Sequence, residues 1–315
     1  MLKLDKVSKI YKVGTFAGKD ICAVSEASFE INDAEVVSLI GESGSGKSTI
    51  GKMILHLLSV SSGSIRFNDR DISTLGKTGL KEYYRNVQGV FQDPFSSFNP
   101  IFKSDRIFDN LHTEFFPEMK EAEWKDKVDC TLEDVGLNPG IVLNKYPHQL
   151  SGGQLQRFLI ARALLLDIHF LVADEIISML DASTRIDVLN LLADLKSSCG
   201  LSILFITHDL SLANYISERA VILYRGCIVE MGATEKIFEN PQHPYTKMLL
   251  ASVPRLGQKW DKGQAELKTT RSNDFYGCAF YDRCPVAEKI CATYRPGLTE
   301  VESDHTVACI HNEES

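Results

Sequence analysis

Apolar and polar positions divide this chain into elements before any composition is considered. Residues 2–11 alternate charged with apolar side chains, which predicts a strand with one face on a core. A second stretch, roughly 27–41, alternates through Ala27-Ser-Phe-Glu-Ile and then turns continuously apolar up to Ile40, as in a strand passing from an edge into a covered sheet. Gly41 ends it, and a helix is predicted from Lys47. In that helix Ile50, Met53, Ile54, Leu57 and Leu58 recur at helical spacing and predict one packed face. Val87 to Phe91 reads as another short strand. Residues 95–165 are richer in helix-compatible sequence, broken up by Pro100, Pro117, Pro139 and Pro147. From Pro147 to Pro241 no proline intervenes, and the pattern predicts helix 152–166, strand 169–173, helix 183–198, strand 202–207, helix 209–218 and strand 220–224. The stripe Ile186, Leu189, Leu192 and Ala193 is predicted to be core. Strands alternating with helices imply an α/β fold with a largely parallel, covered sheet. Residues 255–274 are polar and weakly patterned, and read as a linker. No internal repeat is visible.

Composition narrows the setting. The 315 residues suit one large domain with an appendage, or two modest domains. A net charge of −8 argues against general affinity for nucleic acid or anionic lipid. No apolar run approaches the ~18–20 residues that span a bilayer. The charged, alternating start reads as a strand rather than a signal peptide, so a cytoplasmic protein is expected, held at any membrane by another protein. Of eight cysteines, Cys22, Cys130, Cys199 and Cys227 are scattered, whereas Cys278, Cys284, Cys291 and Cys309 crowd the end of the chain. In a reducing compartment such crowding points to metal or cluster ligation before disulfides. The spacing shows only that four thiolates could converge. An iron–sulfur cluster, zinc on four thiolates, zinc on three plus His305, and buried free thiols all remain open.

Candidate chemistry gathers at loop–helix junctions and strand ends. Gly41-Glu-Ser-Gly-Ser-Gly-Lys-Ser-Thr49 fits the phosphate-cradling pattern. Its glycines Gly41, Gly44 and Gly46 let successive N–H groups converge on an anion, with the positive end of the following helix behind them. Ser43, Ser45 and Thr49 belong to the same loop. Lys47 would place its charge at the β- and γ-phosphates, and the Ser48 hydroxyl would serve Mg²⁺. The apolar run Phe170-Leu-Val-Ala ends in Asp174 and Glu175: the first is a candidate Mg²⁺ ligand, the second a general base for water. A solvated acidic strand end is the competing reading. Ser202-Ile-Leu-Phe-Ile-Thr delivers His208 at another strand end, where open α/β sheets bind ligands; it is a candidate contact to the γ-phosphate and the water. Gln92 ends a third strand and could touch Mg²⁺ or water. Ser151-Gly152-Gly153-Gln154 opens a helix with a good N-cap and exposed N–H groups, a second candidate anion site.

Together, and in this order, these segments resemble the ATP-binding subunits of ABC transporters across residues 1–254. The resemblance implies a P-loop NTPase of the ABC ATPase type: a mostly parallel core sheet, an N-terminal antiparallel β subdomain and a helical subdomain at about 95–165. A linker at 255–274 and a small cysteine-rich extension at 275–315 would follow. In that family two cassettes face each other head to tail around two ATP molecules. By resemblance, Ser151, Gly152, Gly153 and Gln154 act on the partner's ATP and Tyr11 stacks on adenine. Asp181 lies in the loop linking the two sites, and the region after Gln92 receives helices of the membrane subunits. Phe91-Gln-Asp-Pro-Phe-Ser-Ser-Phe-Asn-Pro100, Tyr146-Pro-His-Gln149 and Asn240-Pro-Gln-His-Pro-Tyr-Thr-Lys247 are similar to the oligopeptide/dipeptide importer group. So is the cysteine-bearing tail, for which that group implies a 4Fe–4S cluster on Cys278, Cys284, Cys291 and Cys309. The chain departs from the family in Ile176-Ile177, where proline usually follows the catalytic Glu. Losing that proline predicts a looser turn at Glu175. Asp167-Ile-His169 likewise replaces the usual Asn-Pro-Lys.

The implied function is the ATP-hydrolysing subunit of a membrane importer for short peptides, peripheral on the cytoplasmic face. Expected partners are a second ATPase, commonly a homologous but different chain, two transmembrane permease subunits and an extracytoplasmic binding protein. No nucleic-acid partner is expected. The same role for oligosaccharide or nickel is an alternative. A soluble ABC ATPase working on DNA or ribosomes would show coiled-coil arms, tandem cassettes or basic patches, and none is evident. A non-hydrolysing redox module would lack Lys47, Glu175 or His208, and all are present.

Overall fold

The computed structural model describes residues 1–13, 19–252 and 277–312. The linker proposed at 255–274 lies outside the described residues. Strands are β1 (Leu2–Val13), β2 (Lys19–Ile31), β3 (Val36–Ile40), β4 (Ser62–Phe67), β5 (Arg70–Asp71), β6 (Val87–Val90), β7 (Phe170–Asp174), β8 (Ser202–Thr207), β9 (Arg219–Tyr224), β10 (Cys227–Ala233), β11 (Thr299–Glu302) and β12 (His305–Val307). Backbone proximity divides the chain into two units. One holds residues 1–31, 36–73 and 205–315, the other 32–35 and 74–204.

In the first unit, β2, β1, β4 and β5 lie side by side as an antiparallel sheet. Asn68 and Asp69, both at positive φ (47° and 63°), close the β4–β5 turn, the backbone state that tight hairpins need. A second sheet runs in the order β11-β12-β10-β9-β3, with residues 205–207 of β8 beyond β3. Here β3 pairs parallel with β9, bringing Ile40 opposite Ile222, while β10 and the β11–β12 hairpin add antiparallel. All five residues of β3 are buried, Ser38 among four apolar side chains, as in a strand covered on both faces. In the second unit β6 and β7 pair parallel beside residues 202–204 of β8. Between residues 95 and 165 the described backbone forms helices and turns without a strand.

Three expectations needed correction. The strand expected over roughly 27–41 is two strands, β2 and β3. Asn32 donates its N–H to the Glu35 carboxylate at 2.7 Å and Ala34 takes φ 55°, so the chain turns where the residue pattern ran on. The helix Lys47–Ile54 stops before the predicted face is complete: Ile50, Met53 and Ile54 are buried, but Leu57 is exposed. In the helix Ala182–Cys199 the buried residues are Val188, Leu189, Leu192 and Leu195, whereas Ile186 is 42% exposed. Leu189 and Leu192 lie on the buried face, which is rotated from the expected stripe. No helix of the described residues is long and apolar enough to cross a membrane.

Candidate functional site

The loop Gly41–Thr49 leaves the buried end of β3 and enters the helix Lys47–Ile54. Its glycines are demanded by the backbone. A Cβ on Gly41 would lie 2.1 Å from the Leu223 carbonyl oxygen. Gly44 and Gly46 hold φ of 79° and 105°, and a Cβ on Gly46 would meet the Ala23 carbonyl at 2.4 Å. Such positions exclude ordinary side chains. No acidic residue occupies the first turn of the helix, and Gly46 offers it no side-chain cap. The helix end therefore keeps its positive character toward an anion. Lys47 is buried, its Nζ donating to the Gly41 carbonyl at 2.7 Å and the Glu42 carbonyl at 2.9 Å. Among the described residues the buried Ser45 Oγ has no hydrogen-bond partner, a donor suited to a phosphate oxygen. Ser43 and Ser48 are exposed and Thr49 is half-buried. The loop fits a triphosphate.

Tyr11 belongs to the same unit. It pairs with Ile21 on β2, two residues from Ala23, whose carbonyl packs on Gly46; Lys9 Nζ lies 5.4 Å from the Tyr11 ring centre. His208 is exposed at the end of β8, just before Asp209 caps the helix Leu210–Ile216 through the N–H groups of Ser211 and Leu212. Sequence patterning missed a further set of residues on this loop. Glu42 donates its N–H to Tyr245 Oη at 3.0 Å, and its carboxylate accepts two hydrogen bonds from Arg283, at 2.8 and 2.9 Å. Nothing in local periodicity could reveal contacts made more than two hundred positions apart.

The second unit carries the remaining candidates. Asp174 ends β7 and is 7% exposed, not the solvated terminus of the competing reading. Glu175 follows at φ 50°, an uncommon state for a residue with a side chain. Its carbonyl accepts the Ser178 N–H at 3.1 Å and the Ser178 hydroxyl at 2.9 Å. Ile176 and Ile177 are both buried. This turn without proline carries two hydrogen bonds to the Glu175 carbonyl and two buried side chains. Gln92 is exposed just past β6. Nearby, Gly89, Phe91, Ile107, Leu111, Phe115 and Arg162 help to line a cavity of about 360 Å³.

Ser151 caps the helix Gly152–Leu164 reciprocally. Its hydroxyl accepts the Gln154 N–H at 3.2 Å, and its own N–H donates to the Gln154 side chain at 2.9 Å. A Cβ on Gly153 would lie 2.6 Å from Thr184 Cγ2, so this turn needs glycine to approach the next helix. Ser151, Gly152, Gly153 and Gln154 line an open cavity of about 460 Å³ together with Arg157 and Asp181. Asp181 caps its own helix, accepting from Ser183 and Thr184; those hydrogen bonds hold its carboxyl well below the usual carboxylate range.

The tail gathers its four cysteines in one region. The Cys278 N–H donates to the Cys291 carbonyl at 2.8 Å, and the Cys278 thiol interacts electrostatically with those of Cys284, Cys291 and Cys309. Burial pushes the Cys278 thiol up to about 11 and raises those of Cys284 and Cys309. Four thiols suit iron–sulfur or zinc chemistry as donors. Yet among the described residues no group of three or more His, Cys, Asp or Glu stands in a metal-holding arrangement. The option of His305 as a zinc ligand is overturned. Its Nε2 lies 2.7 Å from Glu230 and its Nδ1 3.1 Å from Glu302, so both ring nitrogens are committed to carboxylates.

The chain is similar to known proteins. Residues 24–178 match the family described as ABC transporter, and residues 229–291 match the oligopeptide/dipeptide transporter C-terminal region. A Brucella ovis protein provisionally named a peptide import ATP-binding protein is 41% identical over 293 residues, 92% of each chain. The oligopeptide transport ATP-binding protein AppF of Bacillus subtilis is 38% identical over 98% of this chain and 96% of its own. OppF of Haemophilus influenzae is 36% identical over 91% and 88%. Among solved structures, a dimeric ATP-binding cassette with ADP and Pi superposes with a TM-score of 0.67 at 29% identity, over 74% of this chain and 99% of that one. The loop geometry, the capped Ser-Gly-Gly-Gln helix and these likenesses lead to one conclusion: the chain belongs to the ABC transporter ATP-binding family, in its oligopeptide/dipeptide transport group.

Proposed function

We propose that this protein is the ATP-hydrolysing subunit of an importer for short peptides, working at the cytoplasmic face of a membrane. What carries the reading is the glycine-built loop Gly41–Thr49 at the head of the helix Lys47–Ile54. Relatives named for peptide and oligopeptide transport support the cargo class. The loop N–H groups and Lys47 take the role of holding the β- and γ-phosphates, and Tyr11 that of stacking on adenine. Mg²⁺, when bound, would neutralise charge on the phosphate oxygens; Ser48, Asp174 and Gln92 are its assigned donors. Glu175 is assigned as general base, His208 to orient the attacking water and contact the γ-phosphate. Ser151, Gly152, Gly153 and Gln154 offer N–H groups and a hydroxyl to the ATP of a second cassette, with Asp181 beside them. The groove near Gln92 suits the docking of two permease subunits, through which closure of the ATPase pair would be felt. The second cassette is assigned as a homologous, different chain, and an extracytoplasmic binding protein would deliver the peptide.

The test is Glu175→Gln. The variant should bind ATP as the parent does, hydrolyse it about 10²–10⁴-fold more slowly, and elute with its partner cassette as a closed pair when ATP is present. Hydrolysis at the parental rate would remove Glu175 from its role. Peptide uptake by the reconstituted system, against oligosaccharide and nickel, decides the cargo.

For the tail we assign a 4Fe–4S cluster to Cys278, Cys284, Cys291 and Cys309. The assignment rests on the family likeness and on the four cysteines that the tail carries. Anaerobically purified protein should contain iron and acid-labile sulfide in a four-to-one ratio to chain; stoichiometric zinc without iron would replace the assignment by its rival.

A further inference from the structure

The tail does more than carry cysteines: it grips the phosphate loop. Arg283, in the stretch between Cys278 and Cys284, makes a two-pronged ion pair with Glu42, the second residue of the loop. The Arg283 side chain is only 12% exposed there. Parallel guanidinium–carboxylate bonds fix orientation as well as distance. The Glu42 N–H is held from the other side by Tyr245, which is fully buried. One residue-cluster links the two ends: Phe280 packs on Tyr224 and Tyr245, and the same buried cluster includes Ile40, the last residue before Gly41. A second tether lies close by. Arg295 donates to the Ser25 hydroxyl and carbonyl at 2.7 and 3.1 Å. The Ser25 N–H donates in turn to the Gly226 carbonyl, and the Gly226 N–H to the Ser45 carbonyl within the loop.

We propose that Arg283 is a positioning residue for ATP, through which the C-terminal tail sets the nucleotide affinity of the cassette. The proposal rests on the ATP-binding reading above. The Glu42 carboxylate accepts both bonds from Arg283, while its carbonyl and that of Gly41 hold Lys47 Nζ, so Arg283 fixes the residue that presents one of them. Releasing Arg283 frees Glu42 to turn and lets the Lys47 ammonium drift from its place.

The experiment measures Mg-ATP affinity by titration calorimetry on full-length protein, with melting temperature recorded for each variant. Arg283→Ala and Glu42→Gln should each weaken ATP binding about three- to tenfold, as other long-range positioning contacts do. The double variant should be no weaker than either single one, since both remove the same pair. Arg283→Lys keeps the charge but not the fork, and should fall between. Exchanging the pair, Glu42→Arg with Arg283→Glu, should restore part of the lost affinity while the melting temperature stays where the single variants put it, which a merely structural role would not do. Hydrogen exchange of the 40–50 segment should speed up in Arg283→Ala. Parental affinity in both single variants, or additive losses in the double, would overturn the inference while leaving the ATPase reading intact. A parent protein that binds no Mg-ATP would overturn both.

Discussion

At the scale of single residues, steric exclusion decides most of the site. Gly46 is the sharpest instance, since φ of 105° and the Ala23 carbonyl both forbid a Cβ. Gly46→Ala should abolish measurable ATP binding and lower stability by about 1–3 kcal/mol. Calorimetry and denaturant titration check the two effects separately. Glu175 shows the opposite economy, keeping a side chain at φ 50° because Ser178 closes the turn behind it. Ile176 and Ile177, which follow it, are both buried.

At the scale of elements, one helix start serves two purposes, and substitution can separate them. Ser151 stabilises the helix Gly152–Leu164 as its cap, and it is also assigned to the partner's phosphate. Ser151→Ala should cost about 0.5–2 kcal/mol of stability, the usual price of a lost cap. Ser151→Asp caps equally well but sets a negative charge toward an anion. It should therefore melt like the parent and yet lose ATPase activity of the paired cassettes. Retained activity in the Asp variant would exclude phosphate contact at this position. The elements also show what patterning can and cannot carry. β7, β8 and β9 are legible because their apolar runs are too short for helices and sit between longer helical patterns. The split of β2 from β3 was not, because a turn at Asn32–Glu35 is set by a carboxylate and one positive φ that periodicity does not register. The true buried face of Ala182–Cys199 was likewise fixed by its neighbours, since Ile186 is apolar whether or not anything covers it.

At the scale of the molecule, the tail hairpin is anchored within the first unit by a buried ionisable network. Glu230 is fully buried, accepting the N–H groups of Gln242 and His243 while facing His305 Nε2. The carboxylates of Glu230 and Glu302 raise the His305 pKa above the ordinary imidazole value, with burial opposing; Lys236 lies 4.0 Å from Glu302. The native state then holds a proton that the unfolded chain releases, so stability falls as pH rises from the ordinary value through the raised one. His243 carries the opposite sign. Burial lowers it to about 4, with Glu230 opposing, so stability falls as pH drops below the ordinary value toward 4. Melting temperature should peak between these limits, and His305→Asn should flatten the alkaline limb while leaving the acid limb. An unchanged alkaline limb would remove His305 from the tail's anchorage.

The sequence by itself determined the chemistry that local order can encode. A glycine-spaced loop, a Ser-Gly-Gly-Gln helix start and two carboxylates after an apolar run each need only neighbouring residues to be recognised. It also determined the parallel core strands, because burial on both faces demands unbroken apolar runs. The tertiary structure alone decided what grips these parts: Arg283 on Glu42, Tyr245 beneath the loop, His305 between two carboxylates instead of on a metal. Such contacts join positions far apart in the chain, and their geometry exists only once strands and helices have been brought side by side.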